Sequence, residues 1–225
     1  MYLAIDTSTP QMGLALVEDG HPIAEFYWQS NTMHTVELAP AVTQILDKTG
    51  KQLGDLDGIG IAIGPGSFTS LRVGLSFVKG FAFSRRLPVA AINSLDILAA
   101  AISKQDNLPL LCSLPAGRGR HACGTYVFNG RKKWVPSAPP RIATAQQLAE
   151  EVSEPHLFCG DMSASERDML KKNQNLTLFD PVFCIRRPAI LGWLAERKIR
   201  KGLADDLFSL APLYLHIANP IPDTP

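Results

Sequence analysis

Asp6 is the first residue of this 225-residue chain whose type and setting suit chemistry. It ends a short apolar run, Tyr2 to Ile5, and is followed by Thr7, Ser8, Thr9 and Pro10, all turn formers. A carboxylate, hydroxyls and turn amides at the end of a strand can face a nucleotide phosphate or its metal ion. A cap on the turn itself accounts for the same residues. The second constellation is Gly64-Pro65-Gly66-Ser67-Phe68-Thr69-Ser70-Leu71-Arg72-Val73-Gly74. It is no P-loop, because no lysine follows the glycines at the spacing that would meet terminal phosphates. Nor is it a dinucleotide fingerprint, because Thr69 stands where a third small residue is needed. Backbone amides at a helix start still suit an anion. Gly64, Gly66, Ser67 and Thr69 therefore join Asp6, Thr7 and Ser8 as candidate phosphate contacts, the alternative being a tight strand-to-helix turn with close backbone packing.

Other reactive groupings are scarce. His21, His34, His121, His156 and His216 lie 13, 87, 35 and 60 positions apart, so no histidine pair has metal-ligand spacing, and no metal site is assigned. His34 reads as a polar contact before a helix. Ser67 lacks the Gly-x-Ser-x-Gly frame of a hydrolase nucleophile. Cys112, Cys123, Cys159 and Cys184 form no C-x-x-C pair and read as free, small apolar side chains.

The elements that must position these groups follow from periodicity. Tyr2–Ile5, Met12–Glu18 and Pro22–Trp28 read as three antiparallel strands, the last two joined at Asp19-Gly20. A helix is expected over Val36–Lys48, capped by Thr35 and stopped by Gly50, with Pro40 either in a late first turn or at a kink. Gly58–Ile63 reads as a buried strand, followed by a helix to about Phe83 capped by Ser67 or Thr69. Leu87–Ile92 is a further strand, and Ser94 caps a helix to Ile102. The second half repeats the theme loosely. Leu108–Leu114, Gly124–Phe128, Arg131–Val135, His156–Cys159 and Leu176–Phe179 read as strands; Thr144–Val152, Ser163–Lys172 and Pro188–Lys201 read as helices. This is an α/β chain of two similar lobes, 1–104 and 105–225, joined near 103–108.

Charge narrows the function classes. The chain carries 22 basic and 21 acidic residues, which excludes a wholly basic nucleic-acid coat and an acidic disordered tail. No apolar run reaches the roughly 18 residues of a membrane span, and Asp6 interrupts the place of a signal peptide's apolar stretch; a cytoplasmic protein is expected. Residues 107–149 hold six basic and no acidic side chains. Arg118, Arg120, Arg131, Lys132, Lys133 and Arg141, interleaved with His121, Tyr126 and Trp134, suit a polyanion-contacting surface or a solvated hairpin with its acids elsewhere. The helix after the glycine loop is apolar nearly all round, through Leu71, Val73, Leu75, Phe77, Val78, Phe81, Ala82 and Phe83. Ser70 and Gly74, one turn apart, would let a second helix approach, the alternative being a helix fully buried within the monomer.

These residues carry a resemblance. Leu3-Ala4-Ile5-Asp6-Thr7-Ser8, His34 before a helix with Leu38 and Pro40, the glycine-loop string, Ser94-Leu95 and Pro212-Leu213-Tyr214-Leu215 resemble the bacterial TsaB (YeaZ) family of the tRNA threonylcarbamoyladenosine machinery. The resemblance implies a two-lobed actin-like ATPase fold of the sugar-kinase and heat-shock-chaperone type. It implies a non-catalytic scaffold that docks on and activates a TsaD-type transferase paralogue. That paralogue would hold ATP and a metal ion, and this chain would require no cofactor of its own. It further implies docking through the first two helices, here 36–49 and 68–83, with Leu38, Val42, Ile45, Ser70, Val73, Gly74, Phe77 and Phe81 as interface candidates. A homodimer when the partner is missing, and a TsaE-type ATPase in the larger complex, complete the implied partners. One departure is that Leu114-Pro115-Ala116-Gly117-Arg118-Gly119-Arg120-His121 lacks the family's second-lobe aspartate. The alternatives are an independent ATPase or phosphotransferase using Asp6 and the 64–69 loop, and direct tRNA contact through Arg118, Arg120, Lys132 and Lys133.

Overall fold

The computed structural model describes residues 1–30, 33–104, 107–129 and 133–215, and they build two mixed sheets. In the first, β1 (Tyr2–Asp6), β2 (Gln11–Glu18) and β3 (His21–Gln29) form an antiparallel meander. Beyond β1 the sheet continues in parallel through β4 (Gly58–Ala62) and β5 (Val89–Ile92), giving the order β3-β2-β1-β4-β5. Helix α1 (His34–Thr49) precedes β4, α2 (Phe68–Arg85) joins β4 to β5, and α3 (Ser94–Ala100) follows β5.

The second sheet repeats this plan. β6 (Leu110–Gly117), β7 (Arg120–Asn129) and β8 (Lys133–Pro136) form the meander, and β10 (His156–Gly160) and β11 (Leu176–Leu178) extend it in parallel. Its order, β11-β10-β6-β7-β8, matches the first sheet strand for strand. The additional short strand β9 (Arg141–Ala143) pairs with β7 and has no counterpart in the sequence reading. Helices α4 (Ala145–Glu151) and α5 (Ala164–Leu170) take the places of α1 and α2, and α6 (Pro188–Arg200) that of α3.

The closing helices are exchanged. α3 packs on the second sheet and α6 lies across all five strands of the first. Side-chain size along the first sheet explains how α6 fits. Leu3, Ile5, Met12, Leu14, Leu16, Ile59 and Ile61 point to the core shared with α1 and α2. On the opposite face stand Ala4, Ala15, Val17 and Ala62, with Ala189, Leu191 and Ala195 of α6. A Cβ at Gly60 would lie 2.5 Å from the Ala195 side chain and one at Gly13 2.3 Å from Pro188, so the helix sits where only glycine leaves room. The small-large alternation of these strands is thus a two-faced code, large toward one helix layer and small toward the other.

Several boundaries differ from expectation. α1 starts at His34; Thr35 lies inside it, and Met33 precedes it with no side-chain cap. Pro40 is well inside the helix, so the Val36 carbonyl receives no amide proton from it. The cap of α3 is Asn93, whose Oδ1 accepts from the Leu95 amide at 2.8 Å, and not Ser94. Gly50 does end α1 in the left-handed region (φ 64°). The four cysteines are free and buried. Among the described residues no helix is long and apolar enough to cross a membrane.

Candidate functional site

The structure brings both glycine-loop and Asp6 constellations to the carboxyl ends of β1 and β4, in the crevice between the lobes, but they close on each other. Asp6 is 2% exposed. Its Oδ1 accepts from the Ser8 amide at 2.8 Å and the Ser8 hydroxyl at 2.5 Å, and its Oδ2 accepts from Arg186 Nε at 2.9 Å. Arg186, also 2% exposed, donates from Nη2 to Thr9 Oγ1 at 2.6 Å. The Thr9 carbonyl lies 3.1 Å from His34 Nε2, so His34 is a polar contact of this turn. Thr7 Oγ1 donates to the Ser70 carbonyl at 2.8 Å.

The glycine loop packs onto the same turn by its backbone. The Ser67 amide donates to the Ser8 carbonyl at 2.7 Å, and a Cβ at Gly66 would lie 2.0 Å from that oxygen. Gly64, at φ +106°, passes beside the Leu213 carbonyl, which a Cβ there would approach to 2.9 Å. The Ser67 side chain accepts from Ser70 Oγ and caps no amide of α2; Thr69 is exposed within α2. Of the candidate phosphate contacts, Asp6, Thr7, Ser8, Gly66 and Ser67 are therefore engaged with one another, with α2 or with Arg186. A phosphate would have to displace a buried ion pair to reach Asp6. Arg186 was not foreseen: it lies 180 positions from Asp6, and nothing in its local sequence marks it.

The outer side of α1 and α2 is the contrasting surface. Here Leu38, Val42 and Ile45 are buried in the chain's own core; Leu38 also lines the floor of the groove between α1 and α2, and Val42 and Ile45 do not reach it. Ser70 and Gly74 are also turned inward. A Cβ at Gly74 would lie 2.2 Å from Thr7 Oγ1, so this small-residue pair admits the β1 turn and not a second helix. Val73, Phe77 and Phe81 are half-buried. Between α1 and α2 runs an open groove of about 460 Å³, lined by Thr35, Ala39, Phe68, Arg72, Val73 and Phe77 among others. Phe68 is 51% exposed at its end and Val36 60% exposed beside it. The segment before residue 216 flanks α2: the Tyr214 ring packs at a tilt of 31° against Phe68 with centroids 4.9 Å apart, and its hydroxyl accepts from Arg72 Nε at 3.1 Å.

The basic island divides. Arg118 and Gly119 form the β6–β7 turn at φ 53° and 66°, the positive pair of a type I′ hairpin, so the altered second-lobe hairpin is folded. Arg118 is exposed, and Arg120 lines a cavity of about 110 Å³ with Gly66 and Tyr214. Lys133 pairs with Asn129 at the far end of β7. At about 3.3 Å per residue that is about 30 Å from Arg120, so these cations do not form one patch. Lys132 and Arg131 lie outside the described residues, as does His216. Arg141 is paired with Glu151 at 2.5 Å. The interleaved rings serve the lobe itself: Trp134 Nε1 donates to the Ile102 carbonyl, Tyr126 Oη to Asp96, and His121 Nε2 meets Glu166, each at 2.7 Å. Burial raises Glu166, but its bonds to Ser163 and His121 outweigh this and hold it below the usual carboxylate value.

Comparison with known proteins agrees with this architecture. Residues 29–204 match the family model described as TsaD: tRNA N6-adenosine threonylcarbamoyltransferase. The chain is 32% identical over 221 residues to the tRNA threonylcarbamoyladenosine biosynthesis protein TsaB of Bacillus subtilis (strain 168), covering 96% of this chain and 94% of that one. It is 34% identical to TsaB of Escherichia coli (strain K12) over 59% of this chain and 57% of that one. The solved structure of YeaZ from Pseudomonas aeruginosa superposes with a TM-score of 0.78 at 24% identity, covering 95% of this chain and 99% of that one. The duplicated lobes are those of the actin-like ATPase fold. With a full-length relative at this identity and the same two-lobed frame, the chain belongs to the TsaB family of tRNA threonylcarbamoyladenosine biosynthesis proteins.

Proposed function

We propose that this chain is a non-catalytic subunit of the complex that forms threonylcarbamoyladenosine on tRNA, docking through α1 and α2 on a TsaD-type transferase and stabilising its active arrangement. The observation that carries the reading is the contrast within α2. Its inward side completes a closed, fully bonded crevice at Asp6, and its outward side offers the apolar groove of Phe68, Val73 and Phe77. Similarity to the TsaD family model over 29–204 supports association of two like-built chains, helix layer against helix layer. The same face serves a homodimer when the transferase is missing. A TsaE-type ATPase joins the larger complex, ATP and metal are held by the transferase, and tRNA is met chiefly through it.

Mixing this chain with the transferase subunit and separating by size tests the reading. Co-elution is expected, and Val73→Glu should weaken association at least about tenfold, because a charge in a docking core is left desolvated and unpaired. Its unfolding midpoint should stay close to that of the unaltered chain. Undiminished co-elution of a folded Val73→Glu protein overturns the assignment of this face.

A further inference from the structure

A cavity of about 360 Å³ opens where the two lobes join and shares no lining residue with the groove on α1 and α2. Three elements wall it: the start of α3 with Asn93 and Asp96, β7 with Gly124 and Tyr126, and the proline-rich segment 136–140 that follows β8. A Cβ at Gly124 would lie 3.3 Å from both Leu95 and the Tyr126 ring, so a larger residue there would crowd this junction. Charge in the cavity is one-sided. Asp96 is half-buried, and the described lining holds no cation to meet it. Its Oδ1 accepts from the Tyr126 hydroxyl at 2.7 Å, and no described donor meets Oδ2. Burial accordingly lifts the Asp96 carboxyl above its ordinary value. The opposite wall, Pro136, Pro139 and Pro140 with Ala138, is apolar and its prolines have no N–H to offer an anion. One carboxylate is too few ligands for a divalent metal ion. What suits both walls is a cation that brings its own apolar stem.

We propose that this cavity binds an alkylammonium group, whose N–H donates to Asp96 Oδ2 and whose methylene stem lies along Pro136, Pro139 and Pro140. The ammonium supplies the counter-ion that Asp96 lacks, in a setting where a charge-assisted hydrogen bond is stronger than at an open surface. The Tyr126 hydroxyl, already given to Oδ1, fixes the carboxylate and leaves its second oxygen for the ligand. An occupant spans α3, which follows the first sheet, and β7 of the second, and so braces the junction between them. The helix that carries Asp96 is also tied to the glycine loop, since the Ser94 amide donates to the Gly64 carbonyl at 2.8 Å. A free aliphatic amine and a lysine side chain of another protein present the same chemistry. The site stands apart from the docking face, so its test is independent of that reading.

The full chain is titrated with n-butylamine at neutral pH, and binding is read from the NMR shifts of Gly124 and Tyr126. Saturable binding at or below about 1 mM is expected, with none by n-butanol, which has the same stem and no charge. Asp96→Asn should weaken it at least about tenfold. Ala138→Trp, a substitution at an exposed position of the proline segment, should fill the cavity and weaken it by about the same factor. Affinity should also fall as pH drops through the carboxylate range, because butylammonium keeps its charge there while Asp96 loses its own. Tyr126, the other titratable group of the described lining, stays protonated throughout, since burial and Asp96 raise it. Absence of saturable shifts, equal binding of butanol, or undiminished binding by a folded Asp96→Asn chain overturns the proposal. Should Asp96→Asn fail to fold, Ala138→Trp and the pH profile decide, and unchanged affinity in either refutes it. Competition between 1,4-diaminobutane and Nα-acetyl-lysine amide then separates the sources: tighter binding of the first supports a free amine, and of the second a lysine side chain.

Discussion

The crevice between the lobes and the outer side of α1 and α2 share a helix and differ in almost every other respect. Ser70 and Gly74 of α2 are locked against the turn at Thr7, whereas Val73 and Phe77, on neighbouring positions, line an open groove. In the crevice, both Asp6 oxygens and the Ser8 carbonyl have internal partners. Along the groove, aromatic surface faces solvent. The difference teaches that one helix can fasten a closed crevice with one side and leave an open apolar groove along the other.

The sharpest break of that contrast is Arg186→Met, which strands the Asp6 carboxylate in a buried site. It should cost about 3–5 kcal/mol in urea unfolding, and the double variant with Asp6→Asn should lose much less than the two singles summed. Next is Gly74→Ala, whose new methyl meets Thr7 Oγ1. A loss of about 1–3 kcal/mol is expected despite alanine's better helix propensity, and Thr7→Ala in the same chain should recover part of it. Gly80, in the same helix, has open space where a methyl would stand, so Gly80→Ala should instead stabilise by about 0.5–1 kcal/mol, read as a higher urea midpoint. The smallest effect concerns the rear junction, where α3 meets β7. Burial holds Asp96 above its ordinary value against the hydrogen bond from Tyr126. The folded state therefore binds this proton more tightly than the unfolded chain, and stability falls as pH rises through the carboxylate range. In Asp96→Asn that part of the pH dependence should flatten.

Much of the frame could be read from residue order. Alternating strands, Asp19-Gly20, Gly50 and the glycine loop each mark structure through short-range physics, and the helices expected from Thr144 and Ser163 do begin there, each closed by a capping box that the sequence reading does not name. What escaped depends on partners distant in the chain. Leu38, Val42 and Ile45 make a helical stripe that suits a partner or a core equally; only the sheet beneath α1 decides. His34 joins α1 because its ring is held at Thr9, a contact that propensity does not contain. The pairing of Asp6 with Arg186 has no local signature. The small residues of β2 and β4 did carry a signal, since glycine or alanine on every second position marks a close-packed second helix layer. Read simply as apolar runs, those strands conceal it.

The crossing of α3 and α6 makes the chain indivisible. A cut near residue 104 would leave one half with its Ala and Gly strand face bare of Leu191 and Ala195, and the other without Leu95 and Leu98 above Cys112. Neither lobe is a module, and any hinge motion of one must carry along a helix that by sequence belongs to its neighbour.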